Sequence, residues 1–516
     1  MATPSEKLAA SLEVLHEMQR RGAVAIRASE LKRTHRERLV ANGFLQRVMK
    51  GWYIPSKPEE PAGESTGWYA SYWRFCSAYL NKRFGTDWCL SPEQSLLLHT
   101  GNWMVPTQLL VRSPKARNRV TDLPHNTSLL DVRSSMPELG EVEQKDGLRI
   151  FSLPAALVSC SAHFFCQNPT DARAALAMIN DASDILGRLL EGGHSKIAGR
   201  LAGAFRNTGQ DRIADDILKT MRTAGYDVRK EDPFETRAPV IVLGRNTSPY
   251  VHRLRLMWQE MGRAIPNHFP ESPTKPKDVE DYLQRVEEVY ATDAYHSLSI
   301  EGYQVSPELI ERVRGGAWNP EAHESDREHR NGLAARGYWQ AYQSVRDSVR
   351  HVLEGKNPGT VAHENHGDWY REMFAPSVAA GLLRPADLAG YRNLPVFIRG
   401  SKHVPPNREA VRDLMPAYFQ LLKEEVEPST RVVLGHFMFV YIHPYADGNG
   451  RIGRFLMNVM LASAGYPWTV VPLQRRSSYM AALEKASVGQ DIIPFTKFLA
   501  DITTEGLRGR PTTTVQ

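Results

Sequence analysis

Residues 443–454 read HPYADGNGRIGR. The flanks decide what this stretch is. RVVLGHFMFVYI (431–442) is apolar at helical spacing through Val433, Phe437, Val440 and Tyr441. Pro444 has no N–H and disfavours α geometry at the residue before it, so this helix stops with His443 at its mouth. Asp447-Gly448-Asn449-Gly450 continues no helix cheaply, since each glycine costs about 1 kcal/mol there. RIGRFLMNVMLASAG then starts a second helix with Ile452, Phe455, Leu456, Val459 and Met460 on its apolar face. Arg451, Arg454 and Asn458 fall on another stripe. The twelve residues are thus a loop held between two helices that read as buried, running into the first turn of the second.

That loop is suited to an anion. Backbone N–H groups at a helix N-terminus favour phosphate, and Gly448, Asn449 and Gly450 let it approach closely. The forked guanidinium groups of Arg451 and Arg454 match phosphate oxygens in pairs. Asp447 is the one carboxylate in the stretch, and one carboxylate with substrate phosphates is a usual way to hold Mg²⁺. His443 is the one side chain here that accepts a proton near neutral pH. Cation, phosphate cradle and base together suggest attack of a hydroxyl on a nucleotide phosphate.

HPYADGNGRIGR resembles the signature of the Fic family, HPFx(D/E)GNGRxxR, and departs from it only at Tyr445, where phenylalanine is usual. The resemblance covers roughly residues 250–505 and implies an all-helical domain with a small β-hairpin flap. It also implies Mg²⁺-dependent transfer of AMP from ATP to a Ser, Thr or Tyr hydroxyl of a target protein. His443 would deprotonate that hydroxyl, Asp447 would hold Mg²⁺, and the amides around Gly448, Asn449 and Gly450 would form the phosphate hole. Arg451 and Arg454 would hold the outer phosphates.

Three further segments fit the same resemblance. GYRNLPVFIRGSKHVPPNREAVRDLM (390–415) is similar to the family's flap, whose edge at Val396, Phe397, Ile398, Arg399 and Gly400 would pair with an extended target segment. RRSSYMAALEKA (475–486) is similar to the helix beside the adenine, where Tyr479 would stack, although Met480 stands where many members have a second tyrosine. VEDYLQRVEEVYATDAYHSLSIEG (279–302) is a long helical pattern, with Ser297 and Glu301 on one face at i, i+4 and Gly302 at its end. SLSIEG is similar to the family's inhibitory motif (S/T)xxxE(G/N). The resemblance implies that Glu301 pairs with Arg454 and competes with the γ-phosphate, so that the helix 278–302 restrains the same chain. Replacing Glu301 by glycine is then expected to raise AMP transfer.

The amino-terminal half reads differently. Leu8, Leu12, Leu15 and Met18 mark a first helix, Ser29 caps a short second one, and THRERLVANG a third ending near Gly43. FLQRVMKGWYI alternates around a basic tip at Lys50-Gly51, as a hairpin does. This order resembles the winged helix-turn-helix of AbiEi-like antitoxins over residues 1–55. It implies DNA contact through Lys32, Arg33, Arg36, Arg38 and Lys50. A Pro/Glu/Gly/Ser linker (55–66) leads to a mixed middle domain (66–230), with strand-like TQLLVRS and TSLLDVRS, loops, and then helices from about 150. A second linker (228–249) precedes the Fic-like part, 245–516. Gly192-Gly193-His194 reads as a helix end. The expected fold class is thus multidomain and mainly α.

Composition narrows the setting. The chain has 516 residues, 42% hydrophobic and 24% charged, and no apolar run near the roughly 20 residues needed to span a bilayer. The first residues show no signal-peptide pattern. Four cysteines without CxxC spacing read as reduced core thiols, which suits the cytoplasm. A net charge of +6 is mild for this length and by itself says little about nucleic acid. Three functional readings stay open: AMP transfer, a DNA-binding regulator with a locked Fic part, and removal of AMP by a water that Glu301 orients. A homodimer is also compatible with the sequence.

Overall fold

A computed structural model describes residues 3–58, 64–138, 140–236, 248–276, 278–318 and 330–509. Parts of both expected linkers, 59–63 and 237–247, lie outside the described residues. The chain divides into two compact units, Met1–Arg253 with Phe397–Val404, and Leu254–Val396 with Pro405–Gln516. It is multidomain and mostly helical.

The first unit opens with the helix Pro4–Arg20, capped by Thr3 and Glu6 in a reciprocal capping box. Strands β1 (Ile26–Arg27), β2 (Leu45–Met49) and β3 (Trp52–Pro55) form an antiparallel sheet in the order β1-β3-β2, and Arg33–Ala41 is the intervening helix. Leu15, Ile26, Leu31, Leu39 and Leu45 close a small core of their own. The short helix expected from Ser29 is a turn instead, because Glu30 turns back to accept from the Arg27 backbone and guanidinium. The β2–β3 hairpin with Lys50-Gly51 at its tip is present.

Residues 66–84, expected as loops and short strands, are one helix, Thr66–Phe84. It buries Trp68, Tyr72, Trp73, Phe75, Cys76 and Leu80 against a sheet ordered β4 (Cys89–Leu90), β5 (Gln108–Ser113), β7 (Thr127–Arg133), β6 (Arg119–Leu123). The two strand-like runs are β5 and β7, which pair in parallel. Short helices from Leu153–Ser159 to Asp211–Thr223 build a second core. His194 donates its backbone N–H to Leu189 and so ends the helix Ser183–Glu191. Cys76, Cys89 and Cys160 are buried thiols, but Cys166 is exposed and corrects the expectation of four core thiols.

In the second unit, the helices Arg330–Leu353 and Pro358–Ala379 pack together, as do Pro428–Ile442 and Asn449–Ser463. The last of these is buried along nearly its whole length, so it meets protein on every side. The helix Val279–Ile300 lies against Arg330–Leu353, with the Tyr342 hydroxyl donating to the Val286 carbonyl. No described helix is long and apolar enough to cross a membrane.

Candidate active site

The helix Pro428–Ile442 ends at His443, whose backbone is left-handed at φ 55° and ψ 59°. A non-glycine residue pays about 1–3 kcal/mol for that conformation, so its surroundings must impose it. Arg392 does much of this. Its Nε donates to the His443 carbonyl at 2.7 Å, its Nη2 to the Ile442 and Pro406 carbonyls and its Nη1 to Leu394. Its backbone N–H also meets the Pro444 carbonyl at 2.9 Å. Burial lowers the Arg392 pKa to about 10, which leaves it charged at neutral pH. Sequence reasoning missed Arg392; the only signal was an arginine inside the flap-like segment.

The His443 ring is oriented by one bond. Nδ1 lies 3.0 Å from the Val440 carbonyl. A carbonyl only accepts, so Nδ1 carries the proton and Nε2 keeps its lone pair. Burial, the largest influence, lowers the His443 pKa, which favours the neutral ring. The residue is thus a base with one defined basic nitrogen.

The loop after it is clamped from inside. The Asn449 side chain accepts from the Tyr445 N–H and donates to the Tyr445 carbonyl, both at 2.9 Å. Asn449 therefore shapes the loop through its side chain, while its N–H and that of Gly450 lead the helix without intrahelical acceptors. The Tyr445 ring stacks on Tyr370 at 4.0 Å, so the ring that replaces the usual phenylalanine serves as core. Gly448 has φ 79°, and a Cβ there would lie 2.8 Å from Phe374. Its N–H is taken by Asp447 Oδ1 at 2.6 Å. The Asp447 side chain is 64% exposed and reaches Arg451 only at 3.4 Å, which leaves it open to a cation. Beside Asp447 and Arg451 lies a cavity of about 1140 Å³, bordered also by Tyr303, Tyr370, Tyr391 and Arg412.

Ser297, Glu301 and Arg454 meet. Arg454 Nε donates to Ser297 Oγ at 2.9 Å, and its Nη2 to the Ser297 carbonyl at 2.9 Å and Glu301 Oε1 at 2.8 Å. Burial works against the charge on both partners. The pair nevertheless holds Glu301 below the usual carboxylate range, with help from Arg451, and holds Arg454 above its ordinary value. Oε1 also lies only 2.3 Å from where a Cβ on Gly450 would sit. The carboxylate thus stands at the N-terminal end of the Asn449–Ser463 helix, where an anion would be bound. Gly302 follows at φ 90°, and Tyr303 N–H closes onto Leu298 in a Schellman turn. Arg476 donates to the last helical carbonyl, Ile300, at 2.8 Å, another contact not foreseen. Arg454 Nη1 and Arg451 Nε are buried donors with no partner among the described residues.

Two expected site features are placed otherwise. Tyr479 is 1% exposed, its hydroxyl lies 2.7 Å from His436 Nε2, and its ring packs on Phe498. It is a core tyrosine and offers no open face to a base. The flap-like segment 394–406 forms no strand pair among the described residues, since Pro395, Pro405 and Pro406 supply no N–H to a ladder. A turn at Ile398–Ser401 replaces the hairpin tip. Phe397–Val404 belongs to the first unit, where its edge is partly occupied. Arg399 pairs with Glu64 at 2.7 Å, the Gly400 N–H meets Thr66 at 2.9 Å, and Val105 N–H meets the Lys402 carbonyl at 2.9 Å.

The basic residues of the wing-like module also divide. Arg36 donates to the Ala28 carbonyl and lies over Tyr53, and Arg38 donates to the Lys7 carbonyl and Ser11. These two are structural ties. Arg33 pairs with Glu37 on the surface, while Lys32 and Lys50 are exposed with no ion pair among the described residues.

Residues 365–461 match the Fic/DOC family model. The chain is similar to the "Protein adenylyltransferase Fic" of Drosophila grimshawi, 39% identical over 131 residues, which are 25% of this chain and 26% of that protein. The Drosophila melanogaster protein of the same name is 38% identical over equal shares. The chain thus spans about a quarter of the length of the curated relatives it matches. Among solved structures, Fic-1 (residues 134–508) of C. elegans is 19% identical with a TM-score of 0.38, covering 66% of this chain and 95% of that one. The loop between His443 and Gly450 lies inside the matched segment, and residues 365–461 carry a Fic domain.

Proposed function

We propose that this protein transfers AMP from ATP to a Ser, Thr or Tyr hydroxyl of a target protein, and that Glu301 restrains the transfer in the same chain. The observation that carries the reading is the pairing of a single-tautomer base, His443, with donors on Arg451 and Arg454 that have no partner among the described residues, at the start of one helix. In the step, the target oxygen attacks the α-phosphorus and the bond to the β-phosphate oxygen breaks. Pyrophosphate leaves, and the hydroxyl proton passes to His443 Nε2. The helix N-terminus and the two arginines stabilise charge on the phosphates.

Asp447 is the residue that would hold Mg²⁺. It is a single open carboxylate, and the described residues contain no cluster of three His, Cys, Asp or Glu side chains. That suits a cation taking its other ligands from phosphates and water. When bound, Mg²⁺ supplies neutralisation of phosphate charge.

Labelled AMP transfer to protein by Glu301→Ala, lost in Glu301→Ala/His443→Ala, is the expected result. Equal labelling with and without His443 refutes the reading. A second reading, DNA binding through residues 1–55, is favoured by the three-stranded sheet with exposed Lys50 at the hairpin tip. It predicts salt-sensitive DNA binding that weakens in Lys32→Ala/Lys50→Ala. Binding that is unchanged in that variant counts against it.

A further inference from the structure

The turn that carries Glu301 also carries Tyr303. Tyr303 N–H bonds the Leu298 carbonyl at 3.1 Å, and Gly302 N–H bonds Ser299 at 3.0 Å, so both side chains ride on one closed turn. Glu301 reaches Arg454. Tyr303 reaches the other arginine: Arg451 Cζ lies 5.2 Å from the centre of the Tyr303 ring and 5.1 Å from that of Phe374.

Arg451 needs such support. It is 1% exposed, yet its ion pair with Asp447 is long, at 3.4 Å, and its Nε has no partner among the described residues. A buried guanidinium whose pair with Asp447 is long and whose other nearby carboxylate, Glu301, is engaged by Arg454 gains from aromatic faces, which attract a cation without consuming its N–H donors. Its planar shape lets two rings cover it while the N–H edge stays available. Phe374 is itself fixed against the loop, at 2.8 Å from the Cβ position of Gly448. A second guanidinium, that of Arg330, also lies over the Tyr303 ring, with its Cζ 5.4 Å from the ring centre.

We propose that Tyr303 and Phe374 are positioning residues for nucleotide binding. They clamp the plane of Arg451 and hold its N–H edge ready for phosphate oxygens. The proposal rests on the AMP-transfer reading of the site. It gives the turn 301–303 two opposite effects, since Glu301 obstructs Arg454 while Tyr303 prepares Arg451. Removing the carboxylate alone and displacing the whole turn then yield different proteins, the first with a sound phosphate site and the second with a slack one.

The test uses the full chain in the Glu301→Ala background, with Tyr303→Ala and Tyr303→Phe added separately. ATP affinity with Mg²⁺ is measured by calorimetry, and AMP transfer by KM for ATP and kcat. Tyr303→Ala is expected to weaken ATP binding about five- to tenfold and to raise KM by a similar factor, with a smaller change in kcat. Tyr303→Phe keeps the ring and is expected to match the parent. Unchanged affinity in Tyr303→Ala overturns the proposal, as does an equal loss in Tyr303→Phe or an effect on kcat alone. If Glu301→Ala binds ATP but transfers no AMP, the functional reading fails while the affinities still decide the role of Tyr303. If it binds no ATP, both fail.

Discussion

Replacing Glu301 by alanine separates obstruction of the site from support of the fold. Glu301 has ordinary φ, −82°, so alanine keeps the turn unstrained. A hydrogen bond to a charged group contributes about 1.5–3 kcal/mol when buried. Arg454 is 3% exposed but the Glu301 side chain is 29% exposed, so solvent trims the figure to about 1–2 kcal/mol. On the proposed function, an outer phosphate would have to displace that carboxylate from Arg454. Removing it should therefore tighten ATP binding by about five- to thirtyfold, at about 1.4 kcal/mol per factor of ten. The nucleotide-free protein is less stable for it, because Arg454 loses its carboxylate partner and keeps the Ser297 hydroxyl and carbonyl. A thermal melt is expected to show a crossing pattern: the variant melts lower than the parent without ATP and gains more from ATP with Mg²⁺. Glu301→Gln, which keeps the shape without the charge, is expected to follow the alanine variant. ATP-induced shifts of equal size in parent and alanine variant would refute the reasoning. A glutamine variant that behaves as the parent would show that bulk, rather than charge, blocks the arginine.

Arg392→Ala leaves the carbonyls of Ile442, His443, Leu394 and Pro406 without their donor, and a stability loss of about 2–4 kcal/mol by denaturant melt is expected. Transfer should fall mainly in kcat, because the left-handed His443 loses its support; an unchanged kcat contradicts that role. Asp293 is buried, accepts from the Tyr338 hydroxyl at 2.5 Å, and has its pKa pushed up to about 6, chiefly by burial. A raised folded-state pKa means that its stabilising effect is complete below the unfolded carboxyl range and fades as pH rises through about 6. Asp293→Asn is expected to raise melting temperature at neutral pH and flatten its dependence between about pH 4 and 6, which a pH series of melts checks. The lowered His443 pKa places the acid limb of the kcat/KM profile for Glu301→Ala below the usual histidine range, and a limb above it contradicts the burial argument.

Where a feature depends on local chemistry, the sequence announced it. Pro444 ended a helix, Gly302 ended another, and Lys50-Gly51 turned a hairpin. Ser297 and Glu301 share a face because i, i+4 geometry requires it, and both reach Arg454. The helix Thr66–Phe84 was missed for a physical reason. It is buried on most sides, so no polar stripe marks its period, and its many aromatic residues favour strands when judged singly. Tyr479 misled in the opposite way, since a tyrosine in a helix beside a site looks the same whether it faces a ligand or His436. Arg392 and Tyr303 were invisible because their partners, backbone carbonyls and ring faces, leave no pattern of spacing.

Gly450 has a consequence for how restraint can be lost. Its bare Cα leaves the space that Glu301 Oε1 occupies, and any side chain at 450 would collide with that oxygen. The same space must admit phosphate if ATP is to bind. A side chain at 450 would therefore displace Glu301 and, on the proposed function, the substrate phosphate with it. On the proposed function, changes in Arg454 would do likewise, because it holds Glu301 and would also hold the phosphate. If Glu301 restrains AMP transfer as proposed, variants that are unrestrained and still active would arise in the helix that delivers the carboxylate, far upstream in the chain. The brake is protected by the cost of damaging what it stops.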